Sequence, residues 1–277
     1  MSRFSKFMRS WRAVGLRETL GLDRLDRKLA RRIKLKNGFF IEAGANDGIA
    51  QSNTLYFEAQ RGWSGLLVEP IPALAEQCRR NRPASIVENC ALGAFAARGT
   101  HVEMRYCNLM SVVKGAMKSP REEEQHIADG VECQLIRPYD LTVPVFPLSD
   151  LLDRHGVTHV DLFSLDVEGY ELPVLQGLDL NRHRPTWLVI EARYRQEIDE
   201  YLAQYYDTVE ELGKLDVLYR AKTWKLLAGR FSTERESDLD ALEAFQRGRE
   251  SISPSREEEI QTAGHGETDS RPPARAI

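Results

Sequence analysis

The sequence predicts an α/β fold built on a doubly wound, mostly parallel sheet. Between residues 37 and 228, short apolar runs of strand length alternate with stretches of helical periodicity, at the pace of repeated βαβ units. The first apolar run ends abruptly in the small, turn-forming residues Gly44 to Gly48, and a helical pattern follows from Leu55. This order is typical of the first unit of a nucleotide-binding domain, which binds its ligand at the carboxyl edge of the sheet.

The elements are predicted in order from these changes of period. In the first turn, Gly44 and Gly48 permit positive φ, while Asn46 and Asp47 tolerate the left-handed region between them. Gly177 suits the C-terminal cap of a helix that ends at 176. Strands are predicted at 38–45, 64–70, 85–87, 159–166 and 186–191, helices at 52–60, 72–80, 148–153, 171–176 and 197–206, and a closing antiparallel pair at 208–212 and 217–220.

Three segments depart from this alternation. Residues 1–36 carry twelve Lys/Arg against three Asp/Glu, with apolar residues at helical spacing. They predict a basic helical extension. A cap packed on the domain is favoured, and a helix lying on an anionic membrane surface is the alternative. Residues 98–147 form an insertion near the ligand edge, which we expect to shape a substrate region. Residues 229–277 are charged and poor in apolar residues, so they are predicted to be largely disordered.

Composition limits the classes of function. A net charge of −4 gives no general reason to expect a nucleic-acid partner. The four cysteines form no C-x-x-C pair and no zinc-type spacing, which favours free thiols in a reducing compartment. No segment reaches the ~20 apolar residues of a membrane span, and no signal-peptide pattern follows the basic N-terminus. These features predict a cytoplasmic protein, with peripheral membrane contact through the N-terminus left open.

Acidic residues close several of the predicted parallel strands. Glu42, Glu69, Asp166 and Glu191 stand at strand ends, and Glu88 follows the third strand. Because carboxyl ends of parallel strands meet at one edge, these acids should converge on one crevice. Any single acid has a structural alternative, such as an ion pair of Glu191 with Arg193 or Arg195, but the coincidence of four favours a ligand site.

The position of Glu69 favours a nucleoside-bearing cofactor. It follows Gly44 by 25 residues at the end of the second strand, where an acid accepts the hydroxyls of a ribose. NAD would require a phosphate cradle. S-adenosylmethionine (SAM) has no phosphate and carries a sulfonium cation that favours nearby carboxylates. The chain offers G-x-N-x-G and acids, so SAM fits better.

Three runs of the sequence resemble the FkbM family of SAM-dependent methyltransferases. They are F-I-E-A-G-A-N-D-G at 40–48, G-L-L-V-E-P at 65–70, and D-L-F-S-L-D-V-E-G-Y-E at 161–171, and the D-V-E-G-x-E-x-x-V-L-x-G run from Asp166 to Gly177 is the most specific. The resemblance covers about Gly38 to Arg220. It implies a class I methyltransferase fold, with a seven-stranded sheet whose last strand is antiparallel. It also implies an acceptor hydroxyl, on a sugar of a surface glycan or glycolipid or on a natural product.

The resemblance also implies roles for individual residues. The methionine end of SAM would be held by Glu42, Gly44, Asn46, Asp47 and Gly48, the ribose by Glu69, and the adenine would be flanked by the turn that contains Asn89 and Ala91. Asn46 stands where class I methyltransferases commonly have a middle glycine. Asp166 and Glu168 would lie nearest the transferred methyl group.

The predicted mechanism is in-line displacement, in which a substrate hydroxyl attacks the methyl group while Asp166 or Glu168 takes its proton. A divalent cation between these two acids ranks lower, since no third ligand is identifiable, and no metal is assigned. His155, His159 and His183 are expected to be surface or satisfied residues. Two other classes stay open: a Rossmann-type oxidoreductase that uses NAD, and a non-catalytic protein that binds SAM on the same scaffold.

Overall fold

The computed structural model of the chain describes residues 20–222. The first of the predicted N-terminal helices and the predicted tail at 229–277 lie outside these residues. No helix in the described range combines the length and the hydropathy that a membrane-spanning segment requires.

A seven-stranded sheet forms the centre of the described chain, in the order β10-β11-β9-β8-β1-β2-β3. Every neighbouring pair is parallel except those made by β11, which runs antiparallel to both β9 and β10. The predicted fold class, with its antiparallel last strand, is therefore confirmed. The strands are β1 (Phe39–Ala43), β2 (Ser64–Val68), β3 (Ile86–Glu88), β8 (Leu162–Leu165), β9 (Trp187–Glu191), β10 (Tyr206–Glu211) and β11 (Asp216–Ala221).

Helices connect these strands and cover both faces of the sheet. They are α1 (Leu25–Arg32), α2 (Leu55–Arg61), α3 (Pro72–Asn81), α5 (Leu148–Arg154), α6 (Glu171–Leu175) and α7 (Arg195–Leu202). Because the central strands have helices on both sides, they are apolar runs rather than alternating ones. Phe40, Ile41, Leu66 and Leu67 are all fully buried.

Helix α1 packs an apolar face on the domain. Leu25, Leu29, Ala30 and Ile33 are buried in the same cluster as Phe40 of β1. The apolar face of α1 is therefore covered by the domain.

The insertion contains one long helix and three strands, which form a second sheet with a strand that precedes the insertion, in the order β4-β7-β5-β6. The preceding strand is β4 (Ala91–Leu92), and the elements of the insertion are β5 (His101–Tyr106), β6 (Val112–Val113), α4 (Pro120–Gln134) and β7 (Tyr139–Phe146). Helix α4 begins with Pro120 in its first turn, and the Ser119 hydroxyl accepts a hydrogen bond from the Glu122 amide at 3.2 Å. The acidic residues Glu122 and Glu123 stand in the first turn of this 15-residue helix, where they favour the positive end of its dipole.

Gly177 is not the left-handed cap that the sequence predicts. Its φ is not positive. A Cβ at this position would lie 2.0 Å from the carbonyl oxygen of Gly93, so glycine is required by the close approach of two backbone segments.

The carboxyl ends of the parallel strands are level with one another. Ala43 pairs with Val68 and with Leu165, and Leu165 pairs in turn with Ile190. Residues that follow these four positions therefore emerge at one edge of the sheet, which positions the site.

Candidate functional site

A cavity of about 410 Å³ lies at this edge, between the strand ends and the insertion. Glu42, Glu69, Asp166 and Glu191 all line it, so the structure brings the four strand-end acids together. Glu88 is not among the lining residues. Its carboxylate accepts hydrogen bonds from Arg154 and His155 on the outside of the fold, which corrects the expectation that it joins the others.

The loop after β1 is a turn with three left-handed positions, at Gly44, Asn46 and Gly48. Gly44 and Asn46 line the cavity. A Cβ on Gly44 would lie 2.0 Å from the carbonyl oxygen of Asp166, so glycine here lets the ends of β1 and β8 approach. The Asp47 carboxylate accepts the amides of Ile49 and Ala50 at 2.8 and 2.7 Å.

Gly48 and Asp47 support the loop without lining the cavity. A Cβ on Gly48 would lie 2.8 Å from the Arg82 side chain. The glycine therefore makes room for a buried arginine rather than for a ligand.

Glu42 is bound by the segment before α2. Its carboxylate accepts hydrogen bonds from the Ser52 hydroxyl (2.9 Å), the Asn53 amide (2.8 Å) and the Thr54 hydroxyl (2.6 Å). Arg82 Nη1 lies 3.7 Å away. These contacts use most of the acceptor capacity of one carboxylate. They also explain why α2 begins at Leu55 rather than at 52, because residues 52–54 turn toward Glu42.

Glu69 has the geometry of a ligand-binding acid. Its two oxygens each accept one backbone hydrogen bond at 2.8 Å, from the amides of Asn46 and Ile71. One lone pair on each oxygen is left for a ligand. Burial raises the pKa of this carboxyl to about 7, against the lowering effect of the two amides.

The turn after β3 holds the end of β2 in place. Asn89 donates from Nδ2 to the carbonyl oxygens of Glu69 and Pro70, both at 2.9 Å, and does not itself line the cavity. Cys90 and Ala91 do line it. Of the predicted adenine-flanking turn, the structure thus places Ala91 at the wall and Asn89 behind it.

Three carboxylates form the acidic centre of the site. Asp166, Glu168 and Glu191 each offer an oxygen, and these oxygens lie within 4.8 Å of one another. The Asp166 side chain is accessible from the cavity yet surrounded by protein. Burial first, and then the charges of Glu191 and Glu168, raise the pKa of Asp166 well above its usual value. The oxygens of Asp166 and Glu191 are thus close enough for the negative charge of one to disfavour ionisation of the other.

Glu168 differs from the other two acids in having a cationic partner. Arg193 Nη2 donates to Glu168 Oε2 at 2.8 Å, and His126 Nε2 lies 3.6 Å from the same oxygen. Burial and the charge of Glu191 raise the pKa of Glu168 to about 8, against the lowering effect of Arg193. Glu168 itself has a φ of +55°, an uncommon conformation for a residue with a side chain.

From the sequence, a divalent cation between Asp166 and Glu168 ranks lower because no third ligand is identifiable. In the structure, Glu191 is a third carboxylate beside these two. Three carboxylates that can share protons do not by themselves make a metal site, and no metal is assigned to them.

The insertion closes one side of the cavity. The Asn108 amide oxygen accepts a hydrogen bond from Asn46 Nδ2 at 3.2 Å. Gln134, at the end of α4, bonds to the backbone of Leu109 and Cys107, both at 3.1 Å. His126 is buried on the inner face of the same helix, and burial lowers its pKa. The insertion therefore contacts both the loop after β1 and the acidic centre.

Sequence reasoning missed Asn108, His126 and Arg193 in these roles. Nothing in the sequence pairs Arg193 with Glu168 rather than with Glu191, and Arg195 in fact pairs with Asp199 and Glu211. The one signal for Arg193 was its position two residues beyond a strand-end acid. His155, His159 and His183 each have a polar partner away from the acidic centre, as expected.

Comparisons with solved structures find methyltransferases of distant sequence. One, from Geobacter sulfurreducens, is 12% identical, covers 80% of this chain and 91% of its own, and has a TM-score of 0.40. A TehB-like SAM-dependent methyltransferase from Corynebacterium glutamicum is 11% identical, with coverages of 79% and 96% and a TM-score of 0.37. An RNA methyltransferase from Salinibacter ruber, bound to S-adenosyl-L-homocysteine, is 11% identical, with coverages of 75% and 95% and a TM-score of 0.33.

These similarities are too low to transfer a substrate or a mechanism. A search of curated proteins gives no match. The family model described as the methyltransferase FkbM domain matches residues 42–215, which is more than half of the chain and spans every strand-end acid that lines the cavity. The chain belongs to the FkbM family of methyltransferases.

Proposed function

We propose that the protein is a SAM-dependent methyltransferase that methylates a hydroxyl group of a saccharide, in a surface glycan or glycolipid, or of a natural product. The observation that carries the proposal is the fixed carboxylate of Glu69 at the cavity wall. Its two oxygens are spaced to accept the two hydroxyls of one ribose, and both are oriented by backbone amides.

The residues of the cavity fit the rest of this cofactor. A volume of about 410 Å³ lies in the range of small-molecule sites. Cys90, Ala91 and Leu92 offer an apolar wall beside Glu69 for the adenine. The buried amide oxygen of Asn53 has no hydrogen-bond partner among the described residues and belongs to a lining residue, which suits a donor from the methionine end. Glu42 acts through the 52–54 segment that it anchors.

NAD is a poorer fit for a physical reason. A pyrophosphate binds at the amides that open a helix. At the start of α2 the Asn53 amide already donates to the carboxylate of Glu42, and the Leu55 amide donates to Ser52 Oγ at 3.1 Å. A phosphate there would meet a negative charge instead of free donors.

The protein contributes positioning and proton transfer. The cofactor supplies an electrophilic methyl group on a good leaving group. Holding an acceptor hydroxyl in line with that methyl can account for up to ~7–11 kcal/mol of the barrier. A carboxylate of the acidic centre, Asp166 or Glu168, takes the proton, which adds ~10²–10⁴-fold. The insertion covers one side of the cavity, which Asn108 lines.

The first test is the affinity for SAM of Glu69→Ala, measured by titration calorimetry. Loss of charge-assisted hydrogen bonds to the ribose should weaken binding by ~1.5–3 kcal/mol. Glu76→Ala, an exposed acid seven residues away on α3, is the matched control and should bind as the wild type does. Unchanged affinity in Glu69→Ala would remove the basis of the ribose assignment.

The acceptor is then identified by mass spectrometry of surface glycans and small metabolites from cells with and without the gene. A methyl group lost from a hydroxyl is the expected result. A methyl group lost from RNA, or from a nitrogen atom, would overturn the acceptor class but not the cofactor. Binding of SAM with no lost methyl group in any fraction would favour a non-catalytic protein.

A further inference from the structure

We propose, on the basis of the function above, that Arg193 is a positioning residue that makes Glu168 the proton acceptor, while Asp166 and Glu191 hold a proton between them. The proposal chooses between two carboxylates that the sequence leaves equivalent. It also gives the reason for the choice in a residue outside the recognised sequence runs.

The first step is the partner of each acid. Arg193 Nη2 lies 2.8 Å from Glu168 Oε2, and its side chain is three-quarters buried, at 23% exposure. A charged partner at this distance stabilises the ionised carboxylate. Asp166 has no cationic partner among the contacts described for residues 20–222, and the carboxyl of Glu191 lies within 4.8 Å of its own. Two neighbouring carboxyls without a counter-charge favour the state in which one of them keeps its proton.

The second step is the orientation of Glu168. Its left-handed backbone is followed by Gly169, at a φ of +96°. The loop is fixed from below by Glu171, whose carboxylate accepts the Gly169 amide at 2.9 Å. On the side of α4, His126 donates Nε2–H to the carbonyl oxygen of Met110 at 3.1 Å, since a carbonyl oxygen can only accept. The same nitrogen lies 3.6 Å from Glu168 Oε2.

The third step concerns Arg193 itself. Arg193 donates one hydrogen bond to Glu168, from Nη2, and its Nε is buried with no hydrogen-bond partner in the described part of the chain. A purely structural pair would favour the bidentate geometry, which pairs two donors with both oxygens. The single contact leaves Glu168 Oε1 outside the ion pair, so that this oxygen can face an acceptor hydroxyl.

All the charged groups around Glu168 enter this balance. Glu191 and Arg193 face it from β9 and the following loop, Asp166 and Glu171 from its own loop, and His126 from α4. The three acids disfavour ionisation of Glu168. One arginine in direct contact favours it, and the imidazole is neutral and lies at longer range. Arg193 is therefore the group whose removal should change the ionisation of Glu168 most.

The chemical step balances with the ionised form of Glu168 as the acceptor, a form that becomes the major one as pH rises through its pKa of about 8. The oxygen of the hydroxyl forms a bond to the methyl carbon, the carbon–sulfur bond breaks with its electron pair staying on sulfur, and the hydroxyl proton moves to Glu168. The proton held between Asp166 and Glu191 takes no part and keeps the net charge of the centre from reaching −3.

The test is a titration of the side-chain carboxyls by NMR, with ¹³C-labelled Glu and Asp in the full chain without ligand. Glu168→Gln and Asp166→Asn assign the two resonances. In the wild type, Glu168 should lose its proton at a lower pH than Asp166 does. In Arg193→Gln the midpoint of Glu168 should rise by about one pH unit, a tenfold gain in proton affinity, and Arg193→Lys should shift it less because the charge is kept.

Arg195→Gln is the matched control, since Arg195 pairs with Asp199 and Glu211 rather than with the acidic centre. It should leave the Glu168 midpoint in place. An unmoved midpoint in Arg193→Gln, or Asp166 titrating before Glu168, overturns the proposal. The second result needs no arginine variant, so a failure of Arg193→Gln to fold does not block the test. Millimolar Mg²⁺ that shifts all three carboxyl resonances together would also overturn it, in favour of a cation.

Calorimetry with SAM on the same samples separates this proposal from the proposed function. If no variant and no wild type binds SAM, the proposed function fails while the titration order still stands. If SAM binds normally and the titration order is reversed, only the assignment of Glu168 fails.

Discussion

Arg82 shows how single residues determine the shape of the site. Its guanidinium is fully buried and donates to Glu58 at 2.7 Å, to the carbonyl of Gly48 at 3.0 Å, and to the hydroxyls of Ser52 and Thr54, both at 3.2 Å. One side chain from the end of α3 thus holds both ends of the segment that connects the first turn to α2. Arg82 does not line the cavity, but the loop that does is built on it.

We predict that Arg82→Met destabilises the protein by about 3–5 kcal/mol, because it leaves the buried carboxylate of Glu58 without a counter-charge. Urea unfolding measures this loss. Glu58→Gln combined with Arg82→Met should recover part of it, since the unpaired charge is then gone. A loss below 1 kcal/mol in the single variant would mean that water replaces the guanidinium.

At the same scale, the sequence predicted the acids better than their partners. Glu69 and Asp166 end strands whose apolar runs are visible in the sequence, so the edge on which they lie follows from topology. Arg82 and Arg193 follow from no local pattern, because an ion pair between residues more than 20 positions apart depends on how helices and loops pack. His126 lies on α4, and which face of that helix is buried depends on how the helix packs on the segment that contains Met110.

At the scale of elements, the ends of β1 and β8 meet at Gly44. A Cβ on Gly44 would lie 2.0 Å from the carbonyl oxygen of Asp166, so the loop after β1 packs directly against the loop after β8. The sequence located best the elements that are clear apolar runs bounded by turn-forming residues, such as β1, β2 and β8. The sequence did not predict the fold of the insertion, because its strand β7 pairs with β4, which lies more than 50 residues earlier in the chain.

We predict that Gly44→Ala costs several kcal/mol more than Gly99→Ala. Both glycines have positive φ, at +82° and +73°, so both variants bear the strain of a left-handed alanine, roughly 1–2 kcal/mol. Only Gly44 also meets an atom within 4 Å. Thermal and urea unfolding of the two variants give the difference, which isolates the cost of separating β1 from β8. Equal losses would show that the strands move apart freely.

At the scale of the whole molecule, the fold collects carboxyl groups where they are hardest to ionise. Burial raises the pKa of Glu69 and of Glu171 to about 7 and that of Glu168 to about 8, each from an ordinary value of 4.5. Each of these acids binds more proton in the folded than in the unfolded state between its two pKa values. The stability that this provides is present at low pH and is lost as pH rises through the folded pKa.

We therefore predict that the free energy of unfolding falls between pH 6.5 and pH 8. The window begins at 6.5 because the pKa values of buried His126 and His183 are lowered, which weakens the fold at lower pH. Glu69→Gln should make the fall shallower by about 1 kcal/mol. Glu124→Gln, at an exposed position on α4, should leave the slope unchanged. Urea unfolding at each pH gives the slope, and a flat or rising profile in the wild type would contradict the prediction.

The fold as a whole was the most predictable level, because alternation of strands and helices determines a parallel sheet and its binding edge.

The same sheet separates the two ends of the described chain. Gly21 forms a bridge with Gln51, and Leu22 lines the cavity, so the chain enters at the cavity. β11 starts with Asp216 at the cavity and runs antiparallel, so Ala221 ends at the opposite edge, where its amide bonds to the Thr186 carbonyl. The two ends of the described chain therefore lie at opposite edges of the sheet, so a label attached at residue 20 would stand beside the cavity and a label attached at residue 222 would not.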